Sequence, residues 1–183
     1  MSKIKIELDM DGVFTDFLAY YIELGDRINL PVKKPYTDYS INPELFIVAT
    51  TQHSIFEKIP LRDGALELKS LIEEVEEQYN VEVAMLTSCN TKDPALFELI
   101  RSQKQAWLNM HGFKWNMQCV TESAEKGDYA TPSSLLIDDS SKCITSFLER
   151  GGNAILYTEF NTDVADKVKE FVSKCYENTL VAV

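Results

Sequence analysis

Histidine is scarce in this sequence of 183 residues, and cysteine shows no metal-binding or redox spacing. Neither His53 nor His111 has a neighbouring pattern that suits Ser–His or Cys–His nucleophilic catalysis. The four cysteines lie far apart, at positions 89, 119, 143 and 175. We therefore interpret both histidines as structural and the cysteines as reduced thiols of a cytosolic protein.

Clusters of basic residues and long apolar runs are also lacking. The formal net charge is -11, from 18 basic and 29 acidic residues. This charge argues against polymeric nucleic acid or an anionic membrane surface as a partner. No apolar run approaches the roughly 20 residues of a spanning helix, and we expect no N-terminal secretion signal. We expect a cytoplasmic protein that binds a small ligand, and a homodimer is left open.

Segments with strand patterns alternate with amphipathic helical patterns through most of the chain. Strands are predicted at 3–9, 81–86, 117–120, 134–137 and 154–157, and helices at 64–78, 93–110, 141–150 and 162–177. Such alternation predicts an α/β fold, a Rossmann-like parallel sheet with right-handed crossovers and helices on both faces. Glu7 lies on the polar face of the first strand, and the sequence offers no explanation for it.

Residues 17–59 interrupt this alternation. Thr15 or Asp16 is suited to cap a helix that runs to about residue 24, and short helical patterns occupy 44–58. Three prolines between residues 25 and 43 predict irregular chain there. We therefore predict a core domain of residues 1–16 and 60–183, with a small helical cap inserted at 17–59.

The first predicted strand leads into two aspartates, Asp9 and Asp11, followed by Gly12. Alternation along a strand places both carboxylates on the same side, and glycine allows the chain to turn at once. Calcium-binding loops contain the same motif, but Phe17 and Tyr20 stand where such loops need oxygen ligands. Because neighbouring carboxylates repel each other unless a cation or a proton intervenes, the motif indicates a site of chemistry.

Polar side chains end three of the predicted strands. They are Asp9 with Asp11, Thr87 with Ser88, and Asp138 with Asp139. Parallel strands bring their carboxyl ends to one edge of the sheet, where α/β proteins bind ligands. Four carboxylates at one edge favour a divalent cation, and oxygen ligands favour Mg²⁺. A carboxylate that attacks phosphorus needs such a metal, a hydroxyl, a lysine and a second acid.

These segments resemble the four motifs of the haloacid dehalogenase (HAD) superfamily of phosphatases. The matching segments are residues 9–13, 86–87, a lysine, and 136–139, and the predicted insertion is similar to the small cap of that superfamily. The resemblance is closer to the 5′(3′)-deoxyribonucleotidase-like branch, to which residues 16–17, 59–65, 106–108 and 135–139 are similar.

The resemblance implies a role for each strand-end residue. Asp9 would be the nucleophile and form an aspartyl-phosphate, and Asp11 would protonate the leaving alcohol and then activate water. Thr87, helped by Ser88, would hydrogen-bond the phosphoryl group. The Asp9 carboxylate, the Asp11 backbone carbonyl and Asp139 would hold Mg²⁺, with Asp138 as a further ligand or as its support.

Lys126 is the lysine that the resemblance favours, because a short loop separates it from Asp138 as in family members. Lys104 and Lys142 are the alternatives. Lys104 belongs to the middle of a predicted helix, and Lys142 follows the aspartates instead of preceding them.

For the substrate, the resemblance adds Gly12 and Phe17 as contacts, with Phe17 stacking on a nucleobase. The alternative for Phe17 is plain core packing. Tyr36, Tyr39 or Phe46 would replace a cap tryptophan of the mammalian enzymes that is absent here. The implied activity is a Mg²⁺-dependent phosphomonoesterase acting on (deoxy)nucleoside 5′-monophosphates. Sugar phosphates, nucleic-acid 3′-phosphate ends or non-catalytic binding of a phospho-ligand are the alternatives.

Overall fold

A five-stranded parallel sheet is the main architectural feature of the chain. The structure, a computed structural model, describes residues 3–32 and 42–181, with the side chains of 178–181 left out. The strands are β1 Lys5–Leu8, β2 Glu82–Ser88, β3 Asn116–Val120, β4 Ser134–Asp138 and β5 Asn153–Leu156, in the order β3-β2-β1-β4-β5. The α/β prediction with a parallel sheet is thus confirmed.

Strand β1 lies at the centre of the sheet. Leu8 pairs with Met85 of β2 on one side and with Ile137 of β4 on the other. All three of these side chains are fully buried, because they lie in the core of the sheet. From β1 the chain adds β2 and β3 on one side of the sheet and then β4 and β5 on the other. The crevice beyond the carboxyl ends of β1 and β4 is therefore the expected ligand site of this topology.

Helices occupy the segments for which helical periodicity was found. They are α1 Phe17–Arg27, α2 Pro43–His53, α3 Ile55–Lys58, α4 Ala65–Tyr79, α5 Pro94–Met110, α6 Ser141–Glu149 and α7 Thr162–Val181. A 3₁₀ helix, Ser123–Tyr129, was not predicted, because a short segment of irregular polarity carries no periodic signal. In the part of the chain that the structure describes, no helix combines the length and apolar character needed to cross a bilayer.

The chain divides into two compact units. The first comprises Met1–Thr15, Leu61–Asn90 and Trp115–Val183, and the second comprises Asp16–Pro60 and Thr91–Lys114. The first unit contains the whole sheet with α4, α6 and α7, whereas the second contains α1, α2, α3 and α5. Helix α5 therefore groups with the segment that we predicted as a cap, and the roles of core and cap stay a prediction.

The second unit is held together by buried polar contacts between distant segments. The Trp107 indole N–H donates to the backbone carbonyl of Ile59 at 2.7 Å, and the Gln103 amide donates to that of Thr50 at 2.8 Å. His111 ends α5 with its ring 4.3 Å from that of Trp107, and burial lowers the pKa of His111. This packing supports the structural interpretation of His111.

Candidate active site

Lys126 joins the carboxyl ends of β1 and β4 through two short ion pairs. Its Nζ lies 2.8 Å from Asp9 Oδ1 and 2.7 Å from Asp138 Oδ2. The side chain is only 1% exposed, so its charge is balanced by these carboxylates and not by water. Burial lowers the pKa of Lys126, but the charges of Asp9 and Asp138 raise it by more, and the ammonium form is therefore stabilised.

Asp139 brings a third carboxylate to the same place. One carboxylate oxygen of Asp9, Asp138 and Asp139 each lies within 4.8 Å of the others. The Asp139 side chain is exposed, unlike those of Asp9 and Asp138, yet partial desolvation and the charges of Asp9 and Asp138 raise its pKa to about 8. Desolvation and the charge of Asp9 also raise the pKa of Asp138, although Lys126 opposes this shift. One ammonium thus leaves surplus negative charge among three carboxylates.

That surplus fits a divalent cation. Hard oxygen ligands in a compact group are the donor set of Mg²⁺, and a bound cation would reverse the upward pKa shift of Asp139. Asp138 already accepts from the Ser140 backbone N–H at 2.8 Å and from Lys126 at 2.7 Å. These bonds fix its carboxylate, so Asp9 and Asp139 are better suited than Asp138 to turn an oxygen towards a cation.

Gly12 lies directly against Asp139. Its φ is +80°, and a Cβ added there would come within 1.9 Å of Asp139 Oδ2. Glycine is needed at this position both for the backbone conformation and for the space. Gly12 in the motif after β1 therefore packs directly against Asp139 in the motif after β4.

Asp11 lies beside this group with its carboxylate turned towards Thr15. The Thr15 hydroxyl donates to Asp11 Oδ1 at 3.3 Å, and Thr15 itself is fully buried. Asp16, one of the two predicted caps, occupies the N-cap position of α1, but its side chain forms no capping hydrogen bond. The Thr15 side chain serves the aspartate motif and not the helix.

Thr87 and Ser88 are the last two residues of β2, as the sequence predicts. Thr87 is fully buried. Ser88 Oγ lies 3.1 Å from Ser123 Oγ, whose hydroxyl donates to Asn90 Oδ1 at 3.2 Å. Since Ser123 has a single hydroxyl proton, Ser88 is the donor in its bond with Ser123. Contact of Thr87 or Ser88 with a phosphoryl group stays a prediction.

The comparisons with known proteins concern the fold. Neither protein-family models nor curated proteins gave a match to this sequence. A hydrolase from Streptococcus pneumoniae TIGR4 superposes with a TM-score of 0.51 at 15% identity, covering 92% of this chain and 100% of that one. A hydrolase from Pseudomonas syringae gives 0.50 at 17% identity, covering 84% and 83%.

A third solved structure carries a more specific description. It is YfnB from Bacillus subtilis, described as a HAD-hydrolase and bound to magnesium, with a TM-score of 0.50 at 14% identity. The match covers 84% of this chain and 86% of that one. This chain shares its fold with these hydrolases. Because the identities are low, the likeness concerns the hydrolase fold, and the activity has to be argued from the site.

Of the remaining candidate residues, Lys104 and Phe17 belong to the second unit, and Lys142 lies on α6. Lys104 is buried in the second unit, with Nζ 5.0 Å from the ring centre of Phe56, and Lys142 is exposed on α6. Phe17 packs nearly parallel to the rings of Tyr21 and Phe56, each at 5.4 Å. These contacts favour the core-packing alternative for Phe17, whose stacking on a base stays a prediction.

Of the three aromatic residues considered as replacements for the cap tryptophan, one can be described. Phe46 lies on α2 with its ring centre 6.1 Å from that of Phe56, in an edge-on arrangement. Tyr36 and Tyr39 lie outside the described residues.

Arg62 is a residue of the site that the sequence reasoning did not identify as functional. Its guanidinium donates to the backbone carbonyls of Gly12 and Thr158, and it lies 5.6 Å from the ring centre of Tyr157. Its own backbone N–H donates to the carbonyl of Phe14 at 2.9 Å. Arg62 thereby ties the loop after β1 to the loop after β5.

Glu7 is the buried charge that the sequence left unexplained. It is fully buried in β1, and Lys5 Nζ lies 2.7 Å from its Oε1. Burial raises the pKa of Glu7, and the bond and charge of Lys5 oppose that shift. The polar face of β1 thus contains an ion pair two residues before the aspartate motif.

Proposed function

We propose that this chain is a Mg²⁺-dependent phosphomonoesterase of the HAD type, which uses Asp9 as its nucleophile. The observation that carries the proposal is the grouping of Lys126, Asp9, Asp138 and Asp139 beyond the carboxyl ends of β1 and β4. Such a site sits at the switch point of a fold shared with hydrolases. The resemblance of the motifs to HAD phosphatases supports the same reaction.

In this reaction a carboxylate oxygen of Asp9 attacks phosphorus, and the bond from phosphorus to the ester oxygen breaks. Asp11 gives its proton to the departing oxygen, so the alcohol leaves neutral. Asp11 then takes a proton from a water molecule that attacks the same phosphorus, and the bond from phosphorus to Asp9 breaks. Inorganic phosphate is released, and both aspartates return to their starting states.

The remaining residues of the proposed site neutralise charge and orient the reacting groups. Lys126 would hold Asp9 in place and offset negative charge at the phosphoryl oxygens, and Thr87 would donate a hydrogen bond to one of them. Asp9, Asp139 and the backbone carbonyl of Asp11 would hold Mg²⁺, with Asp138 as a ligand or as the support of Lys126. When bound, the ion supplies positive charge that neutralises the phosphoryl group.

The substrate part of the proposal is a (deoxy)nucleoside 5′-monophosphate. Its support is the resemblance of the sequence to the deoxyribonucleotidase-like branch and the net charge of -11, which disfavours a nucleic-acid polymer. A small phosphorylated molecule is the proposed ligand, and neither a membrane nor a polymer is part of the proposal. Retention of both Asp9 and Asp11 favours an enzyme over a binding protein, because binding alone would not need the second acid.

The proposal is tested by replacing the nucleophile. Asp9→Asn is expected to abolish phosphate release from every ester that the natural chain hydrolyses, while circular dichroism still shows a folded protein. Asp163→Asn is the matched control, since that side chain is 68% exposed on α7, where it forms an exposed ion pair with Lys167. Full turnover by Asp9→Asn, with deamidation excluded by mass spectrometry, would refute the mechanism.

The substrate class is tested separately. Phosphate release is measured in Mg²⁺ over nucleoside monophosphates, sugar phosphates and 3′-phosphorylated oligonucleotides, with EDTA as the metal-free control. A nucleotide is expected to give the highest kcat/KM. If no nucleotide exceeds the sugar phosphates, the branch assignment is wrong although the chemistry stands. Tight binding of phosphate esters without any turnover would instead favour a binding protein.

A further inference from the structure

Thr15 lies at the end of a tight loop that starts at the aspartate motif. Its backbone N–H donates to the carbonyl of Met10 at 3.1 Å, and its carbonyl accepts from the Gly12 N–H at 2.9 Å. These bonds close the loop on both sides of Asp11. The side chain of Thr15 is fully buried, so its hydroxyl has a fixed position inside the loop.

The outer side of the same loop is held by the segment that follows residue 60. Thr15 forms an isolated antiparallel bridge with Leu61, and the Arg62 N–H donates to the carbonyl of Phe14 at 2.9 Å. The Arg62 guanidinium also donates to the carbonyl of Gly12. The backbone on either side of Thr15 is therefore anchored independently of the Asp11 side chain.

From this fixed position, the Thr15 hydroxyl donates to Asp11 Oδ1 at 3.3 Å. The torsion about the last bond of an aspartate side chain is soft, so the carboxyl turns easily unless a partner holds one of its oxygens. A proton donor must be aligned with the oxygen that it protonates, and a displacement of about 1 Å can cost about 100-fold in rate. Holding one oxygen of Asp11 restricts the direction in which the carboxyl can deliver a proton.

We propose that Thr15 is a positioning residue that orients Asp11 for proton transfer to the leaving group of the substrate. The inference rests on the proposed phosphomonoesterase function. Thr15 does not contact the phosphoryl group in this scheme; it acts only through Asp11. Removal of the Thr15 hydroxyl should therefore slow ester cleavage most for leaving groups that must be protonated as they depart.

The dependence of kcat/KM on the leaving group distinguishes this positioning role from a purely structural role, which would lower kcat/KM equally for all leaving groups. 4-Nitrophenolate leaves without help, whereas an alkoxide must be protonated as it departs. The ratio kcat/KM reports the steps up to alcohol departure, so later hydrolysis of the aspartyl-phosphate does not enter it. The measurement compares kcat/KM for 4-nitrophenyl phosphate with kcat/KM for an alkyl phosphate.

Thr15→Val removes the hydroxyl and keeps the shape of the side chain. We expect its kcat/KM to fall about tenfold or more on the alkyl ester and less than about twofold on the nitrophenyl ester. Asp11→Asn should show the largest loss of kcat/KM on the alkyl ester relative to the nitrophenyl ester. Thr15→Ser, which keeps the hydroxyl, should lose little kcat/KM on either ester. If Thr15→Val does not fold, Thr15→Ala takes its place in the same comparison.

Thr50→Val is the matched control for a buried threonine. Thr50 is fully buried, and its Oγ1 has no hydrogen-bond partner among the described residues. This variant should leave both kcat/KM values unchanged. Equal losses on the two esters for the hydroxyl-free Thr15 variant, or no loss, would overturn the inference while the proposed function stands. Hydrolysis of neither ester by the natural chain would instead contradict the proposed function itself.

Discussion

Comparing Gly12→Ala with Gly151→Ala distinguishes the steric role of Gly12 from the role of its backbone conformation. At φ +80°, a Cβ is disfavoured by about 1–2 kcal/mol. Gly151 has φ +84°, but a Cβ there would meet nothing within 4 Å. Gly151→Ala therefore reproduces the backbone cost without the clash. Gly12→Ala adds a contact of 1.9 Å with Asp139 Oδ2 and of 2.3 Å with Asp139 Cγ.

The clash sets the size of the expected effect. To reach an ordinary contact distance, the Asp139 carboxylate must move by about 1 Å or more. Such a shift of the proposed metal ligand is expected to weaken Mg²⁺ binding by about 10-fold or more and to lower kcat/KM by about 100-fold. Gly151→Ala should leave both quantities unchanged. Its melting temperature should fall by about 2–4 °C for each kcal/mol lost.

The assay measures Mg²⁺ affinity by calorimetry, phosphate release, and thermal unfolding of both variants in EDTA. The expected result is a loss of metal binding and turnover in Gly12→Ala alone, with loss of stability in both. If Gly12→Ala binds Mg²⁺ as tightly as the natural chain, then the placement of Asp139 as a metal ligand against Gly12 is refuted. Equal losses of turnover in the two glycine variants would point to backbone strain as the sole cause.

Two further predictions concern charge at the site. In the metal-free protein the pKa of Asp139 is raised from 3.8 to about 8, so the folded state keeps a proton that the unfolded chain releases. The free energy of unfolding should therefore fall as pH rises from about 4 to about 8. Urea unfolding at several pH values should show a weaker pH dependence in Asp139→Asn, and an unchanged pH dependence would contradict the pKa shift. Lys126→Met should lower the free energy of unfolding by about 3–5 kcal/mol, because Asp9 and Asp138 stay buried without their ammonium. The control is Lys167→Met, which breaks an exposed ion pair with Asp163, and similar urea midpoints for the two variants would rule out this role of Lys126.

The grouping of the strand-end residues could be predicted because sheet geometry leaves little choice. Parallel strands must end at one edge, so Asp9 and Asp138 could be placed together from the strand patterns alone. Lys126 could not be placed in this way. It lies in a 3₁₀ helix without periodicity, and only the resemblance to HAD phosphatases pointed to it.

Residues that act through backbone groups left no signal in the sequence. Arg62 donates to the carbonyls of Gly12 and Thr158, and a carbonyl is present at every position of the chain. Thr15 has the usual features of a helix cap, yet its hydroxyl turns to Asp11. Glu7 was visible as an anomaly, but its pairing with Lys5 on the same strand face could be recognised only once β1 was known to be buried.

The central place of β1 has a consequence for the order in which the protein can be assembled. Its neighbour β4 begins at Ser134, so one flank of the first strand has no partner until about 130 further residues have been synthesised. At about 5–20 residues per second, the ribosome needs roughly 6–26 s to deliver them. During that time the segment of Asp9 lacks its neighbour β4, and Lys126 is itself synthesised only shortly before β4. Asp9 therefore acquires its ammonium and carboxylate neighbours only once the chain has been synthesised as far as β4.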